Sequence, residues 1–220
     1  VAELPGLRSP SEMRDYLVLQ LNSVLRRPGM YGGEVSVRLV LDHLLHLEHS
    51  DEAWAEEQRA LELRGAWTST GVSGAFRNLI PGPYESGMAA VYSEFAHGRG
   101  WLEADRTLTS AEYDQMRTQI PTWTTRDRSL SEVINTFGPP SVLLGGNNPY
   151  HGKTLGYLTE PTEIPMIFFH LWNGVDPDAE STWPPRYDEA VLLAVHYGPG
   201  DFKTGFTFTP EGRKRRPTGI

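Results

Sequence analysis

Histidines, acids and aromatics with the spacing to do chemistry fall in a few short stretches of this 220-residue chain. His170 and His196 each sit inside a run of apolar residues, MIFFHLW (166–172) and EAVLLAVHY (189–197). If those runs are neighbouring strands, the two imidazoles could act as acid and base across them. A satisfied, half-buried histidine is the commoner use of such a position. The loop between the runs, WNGVDPDAESTWPPRYDE (172–189), gathers Asp176, Asp178 and Glu180 beside Trp172, Trp183 and Tyr187. Acids next to aromatic anchors suit a protein interface that meets a basic surface, so these six residues are the candidate partner-binding set. The plainer alternative is a solvated loop whose tryptophans cap a sheet. The acids echo the first ligands of a calcium loop. However, Ser181 stands where the turn glycine belongs and Tyr187 where a bidentate Glu belongs, so calcium is not expected.

Other stretches fall short of a complete motif. GGNNPYHGKT (145–154) ends like a phosphate-binding loop, but the glycine required five positions before Gly152 is Asn147. LGYLTEPTEIP, which follows, does not start the helix that would sit under the phosphates, so a long hairpin loop is expected. DHLLHLEH places Asp42, His43, His46 and His49 on one helix. Such spacing puts at most two ligands on a face, short of the three a catalytic zinc needs. TSTGVSGAF (68–76) resembles a nucleophile elbow only superficially, because no apolar strand precedes Ser73. Cysteine is absent, which excludes disulfides, thiolate metal sites, a Cys nucleophile and iron–sulfur clusters. No cofactor or metal is expected.

The elements that must position these residues change character along the chain. From Ser11 the apolar residues recur at helical spacing to Leu25, and Pro28-Gly29 makes a tight turn with Met30 and Tyr31 as its hydrophobic plug. Helices follow at 34–49 and from Ser50 to Arg64, with Gly65 a candidate C-cap, then a short one around 75–79 and another at 86–97. Thr109 to Glu112 reads as a capping box for a helix through Ile120 that Pro121 stops. Ser129 or Ser131 starts a last short helix, LSEVINTF. After Pro140 five strands are predicted at 141–146, 153–159, 166–172, 189–197 and 202–209. The third and fourth are apolar on both alternating faces and so central. The fifth alternates Phe202, Phe206 and Phe208 with Lys203, Thr207 and Thr209, an edge pattern with one wet face. Helices before strands imply an α+β fold: an N-terminal helical half packed on a C-terminal, mainly antiparallel sheet of about five strands. Expected boundaries are a flexible leader at 1–12, one domain at 13–210 (helical part 13–137, sheet part 138–210), and a basic disordered tail at 211–220.

Composition limits the function classes. The chain is 39% hydrophobic and 22% charged, ordinary for a globular protein. At this length roughly 70% of the surface is buried on folding, enough for a core without staples. A net charge of −8 argues against nucleic-acid binding and for a basic partner. No apolar run approaches the length of a membrane span, and the start lacks a secretory pattern, so a cytoplasmic protein is expected.

RRPGMYGG (26–33) resembles a segment of the ATPase domain of type II DNA topoisomerases. In that family the next helix carries E-x-x-D-N, whereas this chain has Leu39-Val40-Leu41-Asp42-His43, so the ATPase reading fails. The same segment, with LSEVINTFGPPSVLL (130–144), is similar to small bacterial immunity proteins that neutralise polymorphic or contact-dependent toxins. The resemblance covers about 30 residues. It implies a non-catalytic protein that occludes a cognate toxin with a basic surface. The alternative is a small hydrolase or specialised-metabolism enzyme, its cleft between helices and sheet and its chemistry on His170 and His196.

Overall fold

The computed structural model describes residues 9–82, 84–175, 185–198 and 200–217. The chain begins with α1 (Pro10–Arg26), whose cap is Ser9 and not Ser11: the Ser9 hydroxyl accepts the Glu12 N–H at 3.2 Å. Pro10 at the first helical position extends the helix into the segment expected to be flexible, because a proline there loses no helical hydrogen bond. Pro28 then starts a one-turn helix, α2 (Pro28–Tyr31), where a tight turn was expected. Gly32 and Gly33 have φ of 97° and 69° and redirect the chain into α3 (Glu34–Leu47). A single turn buries only one side, and Pro28 takes it. Met30 and Tyr31 are therefore exposed, not a plug.

The helices α4 (Asp51–Leu63), α5 (Gly71–Arg77) and α6 (Tyr84–Gly98) complete the first helical layer. Next come α7 (Ser110–Trp123) and α8 (Leu130–Phe137), each opened by a full capping box, Thr109 with Glu112 and Ser129 with Glu132. Pro121 does not stop α7. It lies in the last turn, where the lost N–H costs one bond, and Thr124 N–H still closes on Ile120 O at 3.0 Å.

Five strands follow: β1 (Val142–Leu144), β2 (Lys153–Tyr157), β3 (Ile167–Trp172), β4 (Val191–Tyr197) and β5 (Phe206–Phe208). They form one antiparallel meander in the order β1-β2-β3-β4-β5. The protein is α+β, with helices first and an antiparallel sheet after them. As their composition implies, β3 and β4 are central and covered on both faces. One face, including Phe168, Trp172, Ala194 and Phe206, shares a core with α1 and α3 to α6. The other, including Leu155, Phe169, Leu192 and Val195, packs on α7 and α8.

The residues after β5 depart from expectation. Positions 210–215 form a helix, α9 (Pro210–Arg215), within the segment read as a disordered basic tail. Thr209, expected on a wet face, is buried and caps it, and its hydroxyl donates to Leu192 O at 2.7 Å. Gly212 lets α9 lie on β4: a Cβ there would stand 1.9 Å from Leu193 O. Thr209-Pro210 is a cap followed by a first-turn proline, a start signal that the basic run outweighed.

Candidate functional site

The register pairs His196 with Phe168 and His170 with Ala194, so the two histidines lie on the same sheet face, the one covered by α1 and α3 to α6. They are 1% (His170) and 4% (His196) exposed. His170 Nδ1 is 3.0 Å from Thr154 Oγ1, which in turn donates to Ser86 Oγ at 3.3 Å. Its Nε2 is buried with no partner among the described residues. Aromatic rings close around both: His170 lies 5.3 Å from Phe76 and 5.5 Å from Phe206, and His196 stacks on Phe206 at 4.4 Å. Burial holds His170 well below the ordinary imidazole range and pushes His196 down to about 3, helped by Arg64. Both are neutral at pH 7, and neither lines any of the three clefts below. The candidate acid–base pair is brought together but sealed from substrate.

The loop after β3 is divided. Asp176, Asp178, Glu180 and Trp183 lie outside the described residues. Trp172 is buried and Tyr187 half-buried, and both are engaged within the fold. Arg215 stacks over Trp172 at 3.9 Å, and the Tyr187 hydroxyl donates to Glu211 at 2.7 Å. Asn173 binds both the N–H (3.1 Å) and the carbonyl (2.8 Å) of Tyr187. These residues clamp the base of the loop to α9.

Two weaker motifs resolve simply. Lys153 points inward, and its Nζ donates to the carbonyls of Gly146 at 3.1 Å and Asn148 at 2.7 Å, while desolvation lowers its pKa. The loop thus turns carbonyls toward its own lysine, and a strand follows it. His43 Nδ1 lies 2.5 Å from Leu39 O, and His46 Nδ1 lies 3.3 Å from Asp51. Among the described residues no three metal-ligating side chains gather.

What the sequence did not point to is an apolar outer face. Seven exposed large hydrophobics lie on α1 to α3: Met13, Tyr16 and Leu19 on α1, Met30 and Tyr31 on α2, Val35 and Leu39 on α3. Met30 is 75%, Val35 78% and Leu39 58% exposed. Val35 and Leu39, one helical turn apart, border a groove of about 450 Å³ whose other walls include Arg38, Asp42 and Trp67. The groove is rigidly framed. Arg38 lies over Trp54 (4.9 Å) and Trp67 (5.5 Å). Glu34 accepts the Val72 and Ser73 N–H groups at 2.8 and 2.9 Å and the Tyr92 hydroxyl at 2.8 Å, which ties α3 to α5 and α6. At the other end of α3, Glu48 binds Arg14, Arg99 and Trp101. Burial works to raise the Glu48 pKa, and these donors more than offset it.

A larger cleft, about 830 Å³, opens between α4, α6 and the 162–165 connection. Burial pushes Glu94 up to about 7, against Arg64 and the Met166 N–H, and burial also raises Glu57. The only signal of Glu94 in the sequence is one acid inside the otherwise small and apolar AAVYSEFA.

What the fold and these surfaces define is an α+β protein with a sealed aromatic interior and an open apolar face on its first three helices. No family model, curated protein or solved structure matches the chain. No helix among the described residues is long and apolar enough to cross a membrane.

Proposed function

We propose that this chain is a non-catalytic protein-binding module of the immunity-protein kind, which neutralises a toxin by covering its active surface. The observation that carries the reading is the α1–α3 face, where exposed Val35 and Leu39 flank a framed groove and Met30 stands exposed on α2. Exposed large apolars gathered on one part of a surface mark protein interaction sites. The groove is where an anchor side chain of the partner would seat. Charge selects a basic partner. At the α3 groove itself Arg38 is engaged by the two tryptophans, which leaves exposed Asp42 at the wall. The 172–189 loop drops to a secondary role, since Trp172 and Tyr187 serve the fold.

The test is co-expression of the chain with each product of the genes flanking its own, in a host that such a product kills. Rescue of growth, together with a one-to-one complex of the purified pair, is the expected result. If no flanking product is toxic, or a toxic one is neither bound nor neutralised, the reading is wrong. Self-association of the free chain through this face in sedimentation would also overturn it.

One observation favours a second reading, a small hydrolase: the Glu94 carboxyl, raised to about 7 by burial beside a cleft of about 830 Å³. That reading moves the chemistry from the histidines to Glu94. It predicts hydrolysis of simple esters or glycosides that Glu94→Gln abolishes, and it falls if both proteins are equally inert.

A further inference from the structure

A second cleft of about 560 Å³ lies between α2, the first turn of α6 and the 145–152 connection. It is separate from the α3 groove and within the range of small-molecule sites, roughly 300–1,000 Å³. Two opposite charges line it, Arg27 and Glu85. Arg27 is exposed and Glu85 half-buried, and neither makes a side-chain hydrogen bond, ion pair or cation–π contact with any described residue. Arg26, one position earlier, is instead held by Asp105 at 2.8 Å. An unpaired guanidinium and an unpaired carboxylate share one concavity without reaching each other.

The remaining lining suits a small polar molecule. Pro28 and Met30 give an apolar wall, and Asn147 and His151 carry hydrogen-bonding side chains on the opposite loop. The loop itself is held in shape. Gly145 N–H donates to Arg26 O at 2.9 Å, and Lys153 ties the carbonyls of Gly146 and Asn148 together from beneath. Ser86, at the cleft, is fixed by Thr154, which is fixed in turn by His170. This chain of hydroxyls and imidazole gives the sealed His170 a positioning role: it orients Thr154, and through it Ser86.

We propose that this cleft binds a small zwitterion of the amino-acid class, its carboxylate on Arg27 and its ammonium group on Glu85. A ligand with both charges satisfies both unpaired groups at once, and charge-assisted contacts at each end give orientation as well as affinity. A free amino acid and a di- or tripeptide carry the same two termini at different separations, so probe length distinguishes them.

The experiment is a titration of the intact chain, followed by calorimetry and by backbone amide NMR. The probes are the proteinogenic amino acids and di- and triglycine at millimolar concentration, each beside its N-acetyl and C-amide derivative. At least one free zwitterion is expected to bind and to shift amides at 27–30, 85–86 and 146–152, and both blocked forms are expected to lose binding. Arg27→Ala and Glu85→Gln are each expected to weaken binding about 10-fold or more, with the melting temperature unchanged. If Arg27→Ala disturbs the fold, Arg27→Gln replaces it. Absence of binding by every probe overturns the proposal. So do equal binding of a blocked form or of acetate alone, and full binding by both variants.

Discussion

His196 and Val35 occupy opposite situations. The histidine is polar and titratable, and it lies among aromatic rings, stacked on Phe206 with Phe202 across it. The valine is apolar, and it stands in solvent beside a groove. Residue type alone would assign chemistry to the first and packing to the second. The difference lies in what surrounds each. The inner sheet face is closed by five helices, so a side chain there keeps neither water nor substrate access. Among the described residues, no layer lies above Val35 and Leu39 on α3. Apolar residues indoors are the rule, but apolar residues outdoors need a reason when they gather.

The sharpest way to break the comparison is through the aromatic seal. Phe206→Ala removes the ring shared by both histidines and by Phe76 and Phe202, and should cost about 4 kcal/mol in chemical denaturation. A loss below about 1 kcal/mol would mean that the seal is loose and the histidines are reachable.

Acid titration of stability is the next test, and its sign follows from Glu94 set against the two buried histidines, of which His170 acts in the same direction as His196. His196 is depressed to about 3, so its contribution is complete above the unfolded value near 6.5 and is lost as pH falls. Glu94 is raised to about 7, so its contribution is complete below the unfolded value near 4.5 and is lost as pH rises through 7. Between those limits the two slopes oppose, each about 1.4 kcal/mol per pH unit. Glu94→Gln should therefore uncover a loss of at least about 2 kcal/mol between pH 6.5 and 5, and the His170→Phe, His196→Phe double variant should uncover a gain of about 2 kcal/mol. Matching curves for both variants and the parent chain would show that neither group is desolvated.

The smallest effects belong to the outer face. Met30→Ser and Val35→Ser should each change stability by less than about 0.5 kcal/mol. Thermal unfolding of the two variants checks this, and a loss above about 2 kcal/mol in either would return that residue to the core and remove it from the interface.

The features legible in the sequence were those set locally. Capping boxes at Thr109 and Ser129 specify helix starts within four residues, and the both-face apolar runs of β3 and β4 require a central position. What escaped depends on neighbours distant in the chain. The exposure of Met30 and Tyr31 follows from α2 being a single turn that buries only Pro28. The burial of Trp172 follows from α9, 38 positions on at its first residue, Pro210. The meeting of Arg27 and Glu85 at one cleft joins segments of the chain that α3, α4 and α5 separate. No periodicity in a single chain reports such meetings, and residue type misleads where a layer is missing or added.

On the proposed function, the α1–α3 face binds the partner. The direct test is the affinity of the Val35→Asp, Leu39→Asp double variant for a toxin that the co-expression test identifies, measured beside the melting temperature of the free variant. At least a 100-fold loss of affinity, about 2.7 kcal/mol, with an unchanged melting temperature is expected. Parent-like affinity in the folded double variant would contradict it and place the interface elsewhere.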